Sequence, residues 1–193
     1  MEILTVCTGN ICRSPLAELL LATRLADLDV VVHSAGVRGL RSAPMTPEAV
    51  RIATHFGVAP RDAAAHRSRY LTETMLATPQ LIIGMTRDHR RHVVELAPTQ
   101  LRATFTAREF GRIAESRTDD EIRASARGID RDARFAAAVT ALAGLRGLIA
   151  PPADPAFDDV VDPFKQPWEV YLDSADQLLP ALEQVERVAR LVA

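Results

Sequence analysis

The chain has 193 residues, 48% of them apolar, and a formal net charge of −2, which suits one compact domain with a sizeable core. Its arginines are scattered rather than massed on one face, which argues against nucleic acid as a partner, and no run of about 18 apolar residues offers a membrane span. With no basic, apolar leader after Met1 and only two cysteines, Cys7 and Cys12, the expectation is a soluble, unexported, cytoplasmic protein without a membrane partner.

In chain order, residues 2–6 form a short apolar, β-branched run that breaks at Cys7-Thr8-Gly9-Asn10, so a strand gives way to a loop. Ser14-Pro15 is a helix start, and Leu16, Leu19, Leu20 and Thr23 continue it over about residues 15–27. Val30 to Ser34 predicts a second strand closed by Ala35-Gly36. Thr46-Pro47-Glu48 opens a second helix reaching Phe56. Leu81 to Met85 reads as a third strand, followed by a charged helix through Val93, Val94 and Leu96 that Pro98 ends, and Arg102 to Phe105 offers a fourth strand.

This alternation predicts an α/β fold in three layers, a four-stranded, mainly parallel sheet with helices on both faces. Between Phe110 and Pro152 the composition shifts to arginine, alanine and acidic residues, with Phe135, Val139, Leu142 and Leu145 at helical spacing, and one or two surface helices are expected. A proline-rich loop leads to Asp162-Pro163-Phe164. The chain then closes with a helix carrying Leu178, Leu182, Val185, Ala189 and Val192, which Pro180 should kink or begin. The expected organisation is a single domain over 1–193 with an extra helical segment at about 106–156. All basic residues but Lys165 are arginine, a bias that, with abundant alanine, suggests a GC-rich bacterial source.

The loop from Cys7 to Arg13 carries the chemistry. Placed between a strand and a helix, Cys-x(5)-Arg-Ser joins a thiol, a guanidinium and a turn of backbone N–H groups at a helix N-terminus. The donors and the helix dipole favour the thiolate of Cys7, a nucleophile for phosphorus. Arg13 presents a two-pronged donor to phosphoryl oxygens, a geometry lysine lacks. Gly9 lets the loop close, Ser14 can donate to the sulfur, and Asn10 can lock the loop through its side chain; Thr8, Ile11 and Cys12 complete the cradle.

Val6-Cys7-Thr8-Gly9-Asn10-Ile11-Cys12-Arg13-Ser14-Pro15 resembles the active-site loop of the low-molecular-weight protein tyrosine phosphatase family. His33 to Gly36, His66-Arg67-Ser68-Arg69, Leu81 to Met85 and Asp162-Pro163-Phe164 resemble later segments of that family, so the likeness covers roughly 2–105 and 157–190. The resemblance implies the phosphotyrosine protein phosphatase I-like fold and hydrolysis of protein phosphotyrosine or a small phosphomonoester, with inorganic phosphate as product, through a phosphocysteine. It implies Asp162 as general acid and then base, although Asp158 and Asp159 compete for that role. It further implies that Asn10, Ser34 and His66 support the loop, that Cys12 can form a protective disulfide with Cys7, and that neither metal nor other cofactor is needed. Rim positions fall at Leu40 and Phe164, where family members often place aromatics. His33, His55, His89 and His92 lack a metal-ligand arrangement, and His89 and His92, three apart on one helix face, read as solvated helix histidines. Two other readings stand beside hydrolysis: an arsenate reductase relying on a small-molecule thiol, since no cysteine follows Cys12, and a non-catalytic phosphate-binding module.

Overall fold

In the computed structural model, which describes residues 1–39 and 41–193, the apolar runs form β1 (Glu2–Cys7), β2 (Val31–Gly36), β3 (Leu81–Gly84) and β4 (Thr104–Thr106). They make one sheet in the order β2-β1-β3-β4, and all three pairings are parallel. Cys7 lies opposite Gly36 and Val6 opposite Gly84, so the carboxyl ends of these strands finish side by side, where open α/β sheets bind ligands. The parallel α/β architecture read from the sequence is the one found.

The helices are α1 (Arg13–Arg24), α2 (Pro47–His55), α3 (Pro60–Ala65), α4 (Arg87–Leu96), α5 (Ala107–Glu115), α6 (Asp119–Ser125), α7 (Arg131–Ala143) and α8 (Trp168–Val192). Strand side chains alternate between two faces. Ile3, Leu81 and Ile83 enter the larger core with Leu20 of α1, Phe110 of α5, Phe135 of α7 and Leu182 of α8. Leu4, Val6 and Ile82 enter the smaller one with Val93 of α4. Burial on both faces explains why these strands read as nearly continuous apolar runs.

Several boundaries differ from expectation. The first helix begins at Arg13 and ends at Arg24, and a 3₁₀ turn over Ala26–Leu28 closes on Asp29 in the left-handed region, φ 50°. Pro98 does not release an extended chain but starts a 3₁₀ turn to Arg102, which delays β4 to Thr104. Three helices, not one or two, fill 107–143. Thr106 and Thr118 open α5 and α6 with capping boxes to Glu109 and Glu121, and the segment is not superficial, because Phe110, Ile113, Ile122, Phe135 and Leu142 are buried in the larger core. The last helix starts at Trp168 and continues through Pro180, so the proline is not its beginning. Among the described residues no helix is long and apolar enough to cross a membrane.

Candidate active site

The turn between β1 and α1 is organised by its carbonyls. Those of Cys7, Thr8, Asn10 and Ile11 accept from Val37 N, Arg38 N, His66 Nε2 and Thr46 N, each at 2.9 Å. All four donors lie outside the loop. Because each peptide unit is planar and trans, carbonyls turned outward leave the amide N–H groups facing the loop's interior, a concavity suited to an anion. Asn10 adopts φ 56°, a left-handed conformation that asparagine tolerates better than most residues. Its buried amide donates to Ser14 Oγ at 2.9 Å and Ser34 Oγ at 2.7 Å, while Oδ1 accepts from Arg69 N at 2.8 Å.

Inside this turn the Cys7 sulfur accepts from Asn10 N at 3.2 Å and Ser14 Oγ at 3.0 Å. Both contacts aim hydrogen-bond donors at the sulfur. Arg13 is 4% exposed; Nη1 donates to the carbonyl of Val160 at 3.0 Å and Nη2 pairs with Asp162 Oδ2 at 2.7 Å. Its Nε is buried with no hydrogen-bond partner among the described residues, a donor still available to an oxygen. Asp162 itself is half exposed, and its Oδ1 accepts from Phe164 N at 3.2 Å. The competing carboxylates are engaged elsewhere: Asp158 with Arg112 Nη2 at 2.9 Å and Asp159 with Arg87 Nη2 at 2.9 Å. The structure therefore brings Cys7, Arg13 and Asp162 together, although they span 155 positions of sequence.

Ser34 and His66 also reach the loop, and both meet a residue the sequence reading missed. Glu18 of α1 accepts from Ser34 Oγ, pairs with Arg69 Nη2 at 3.0 Å and lies 3.6 Å from His66 Nδ1. Glu18 stands four residues after Ser14, on the same helix face, and that spacing is the signal by which it could have been found. Burial pushes the His66 pKa down, against the pull of Glu18, which suits a neutral ring donating from Nε2 to Asn10 O. Arg69 and the Val160 carbonyl were likewise not foreseen.

A cavity of about 230 Å³ is lined by Cys7, Ile11, Cys12, Arg13, Arg38, Asp162 and Phe164, among others. A longer groove of about 580 Å³ shares Thr8, Arg13, Arg38 and Asp162 with it and continues along α4 past His89 and His92. Phe164 is thus at the rim; Leu40 lies outside the described residues. Both cysteines are free thiols. Cys12 Sγ lies 3.5 Å from Thr46 Oγ1 and 3.8 Å from Tyr171 Oη, and burial pushes its thiol up to about 11. The expectation that His89 is solvated is wrong. It is 5% exposed, its Nε2 lies 3.0 Å from Thr8 Oγ1 and its Nδ1 2.8 Å from Thr86 Oγ1, and burial pushes its pKa down to about 4. Four residues on, Val93 faces the smaller core, a spacing that could have marked His89 as inward-facing.

Three comparisons bear on this geometry. The family description "Low molecular weight phosphotyrosine protein phosphatase" matches residues 2–124, extending past the expected limit near 105 into α5 and α6. Etp of Escherichia coli K12, named a low molecular weight protein-tyrosine-phosphatase, is 44% identical over 97 residues, 50% of this chain and 62% of Etp; the chain thus spans less than two thirds of that relative. A protein-arginine-phosphatase of Bacillus subtilis strain 168 is 34% identical over 112 residues, 57% of this chain and 72% of that protein. The crystal structure of a low molecular weight protein tyrosine phosphatase from T. tengcongensis superposes with a TM-score of 0.66 at 26% identity, covering 96% of this chain and 97% of the other.

Proposed function

The chain belongs to the low molecular weight phosphotyrosine protein phosphatase family, and we propose that it hydrolyses phosphomonoesters, foremost protein phosphotyrosine, through a phosphocysteine on Cys7. One observation carries the reading: a sulfur accepting two hydrogen bonds faces the same cavity as a buried guanidinium and a half-exposed carboxylate. The inward N–H groups and Arg13 bind the phosphoryl oxygens, which compete with Asp162 for Nη2; freed from the guanidinium beside the bound phosphoryl anion, its carboxylate takes a proton from solvent and turns toward the ester oxygen. The thiolate attacks phosphorus, the S–P bond forms as the P–O bond breaks, and Asp162 gives its proton to the leaving oxygen. Water then attacks phosphorus while Asp162 takes its proton. The S–P bond breaks, Ser14 donates to the emerging thiolate, and phosphate leaves.

Relatives include arginine phosphatases as well as tyrosine phosphatases, and the lining favours an aryl ester. A phosphoarginine brings a guanidine group that would have to lose water against Ile11, Cys12 and Phe164, beside Arg13 and Arg38. The lone carboxylate among the described residues lining the 230 Å³ cavity, Asp162, is the one that turns to the leaving group, which leaves none there to pair with the guanidine. An aromatic ring meets the same apolar walls without that cost.

The test assays p-nitrophenyl phosphate, phosphotyrosine peptides and phosphoarginine peptides, with arsenate plus a thiol in parallel, for the wild type, Cys7→Ser and Asp162→Ala. Cys7→Ser should abolish turnover. Asp162→Ala should lose about 10²–10⁴-fold with phosphotyrosine and less with the better leaving group p-nitrophenol. Absence of phosphomonoester turnover by the wild type overturns the reading, and a loss independent of leaving group removes Asp162 from the acid role.

A further inference from the structure

His89 is a buried side chain that the chemistry above does not use, yet it touches the loop that does the work. It links two hydroxyls: Thr86, the N-cap of α4, at Nδ1 and Thr8, the second residue of the phosphate loop, at Nε2. The direction of this chain follows from its far end. Thr86 Oγ1 already accepts from His89 N at 3.4 Å, and among the described residues its hydroxyl has no hydrogen-bond partner other than His89. Donation from Thr86 to Nδ1 satisfies both groups and leaves the ring proton on Nε2, pointing at Thr8. With burial holding the ring neutral, a single proton is present and one direction prevails. Thr8 then accepts, so its own proton turns to another acceptor, and Thr8 lines both the 230 Å³ cavity and the groove beside it.

Resting on the phosphatase reading of the loop, we propose that His89 is a positioning residue that donates its Nε2 proton to Thr8 Oγ1, so that the Thr8 hydroxyl donates to an oxygen of the phosphoryl group bound over Cys7. The opposite tautomer spends the Thr8 proton on His89 and leaves only lone pairs facing an anion, which repel it. The direction of one hydrogen-bonded chain, set at the first turn of α4, thus decides whether Thr8 helps or hinders oxyanion binding. Neither group changes its protonation state in this role.

A long-range proton–nitrogen correlation spectrum of the free protein near neutral pH reports which ring nitrogen of His89 bears hydrogen, and protonated Nε2 is expected; protonated Nδ1 overturns the proposal. Inorganic phosphate binding, measured by calorimetry, supplies the second readout and needs no turnover, so failure of the inference stays separate from failure of hydrolysis. Thr8→Val and His89→Ala should each weaken phosphate binding about tenfold or more, as expected for one hydrogen bond to a charged group, and the double variant should be no weaker than either. His89→Gln, whose amide can donate to Thr8, should recover most of the affinity. Additive losses, or a Thr8→Val that binds phosphate like the wild type, would reduce the contact to ordinary packing.

Discussion

The residues that support the loop around Cys7, directly or through one neighbour, differ in how they come to be there. Asn10 and Ser14 belong to the loop and its helix, and their hydrogen bonds to sulfur follow from positions three and seven residues on. His89 and Glu18 are helix residues whose importance depends on which helix face meets the loop. His89 was misread because α4, with Arg87, Asp88, Arg90 and Arg91 around it, looks like a solvated helix until its inward face is known, and Glu18 of α1 was missed because its partners Ser34, His66 and Arg69 lie on other parts of the chain. Burial has a measurable consequence for His89. Its pKa is pushed from 6.5 to about 4 in the fold, so between those values the unfolded chain takes up a proton that the folded chain refuses. Stability is therefore full above about pH 6.5 and falls as pH drops toward 4, by about 3 kcal/mol for this group, and His66 acts in the same direction. Urea midpoints measured from about pH 7 to about pH 4.5 should decline in the wild type and decline less in His89→Gln. Equal slopes would mean that the folded ring titrates near its ordinary value.

Elements place these residues by close backbone approach. β2 ends at Gly36, where an added Cβ would stand 2.7 Å from Thr8 O and 3.1 Å from both Asn10 N and Gly9 C. None of those atoms belongs to a movable side chain, so the loop from Cys7 to Arg13 itself would have to shift. Gly36→Ala should therefore weaken phosphate binding at least about tenfold, a loss of roughly 1.4 kcal/mol or more, which calorimetry with inorganic phosphate would measure. Unchanged affinity would show that the loop yields without losing its cradle. The strand–loop–helix frame was legible in sequence because β1 and β3 are short apolar runs ended by turn residues and Ser14-Pro15 marks the helix start. The need for glycine at 36 was not, since it arises from a neighbour 28 positions away, Thr8, that only parallel pairing of β1 and β2 brings near.

At the scale of the molecule, residues 106–156 are the part that composition misrepresented. Arginine, alanine and acidic residues suggested a surface decoration, whereas the apolar minority does the packing: Phe135, Val139 and Leu142 share the larger core with Leu178, Val185 and Val188. α5 crosses α8 closely at Gly111, where a Cβ would lie 3.2 Å from Ala181 Cα. The same last helix carries Tyr171 against Cys12 at its start and meets α7 near its end, where Arg134 Nε donates to the Val192 carbonyl at 3.0 Å. A segment so joined should unfold with the sheet rather than before it. Phe135 is fully buried, and Phe135→Ala should cost about 3–5 kcal/mol. The sole tryptophan, Trp168, has the Arg51 guanidinium 4.4 Å from its ring centroid, so its fluorescence reports the active-site end of α8, while far-UV circular dichroism reports all helices. The two signals should share one denaturant midpoint in the wild type and a lower common midpoint in Phe135→Ala. An early loss of helical signal with Trp168 unperturbed would instead make 106–156 a separately folding unit.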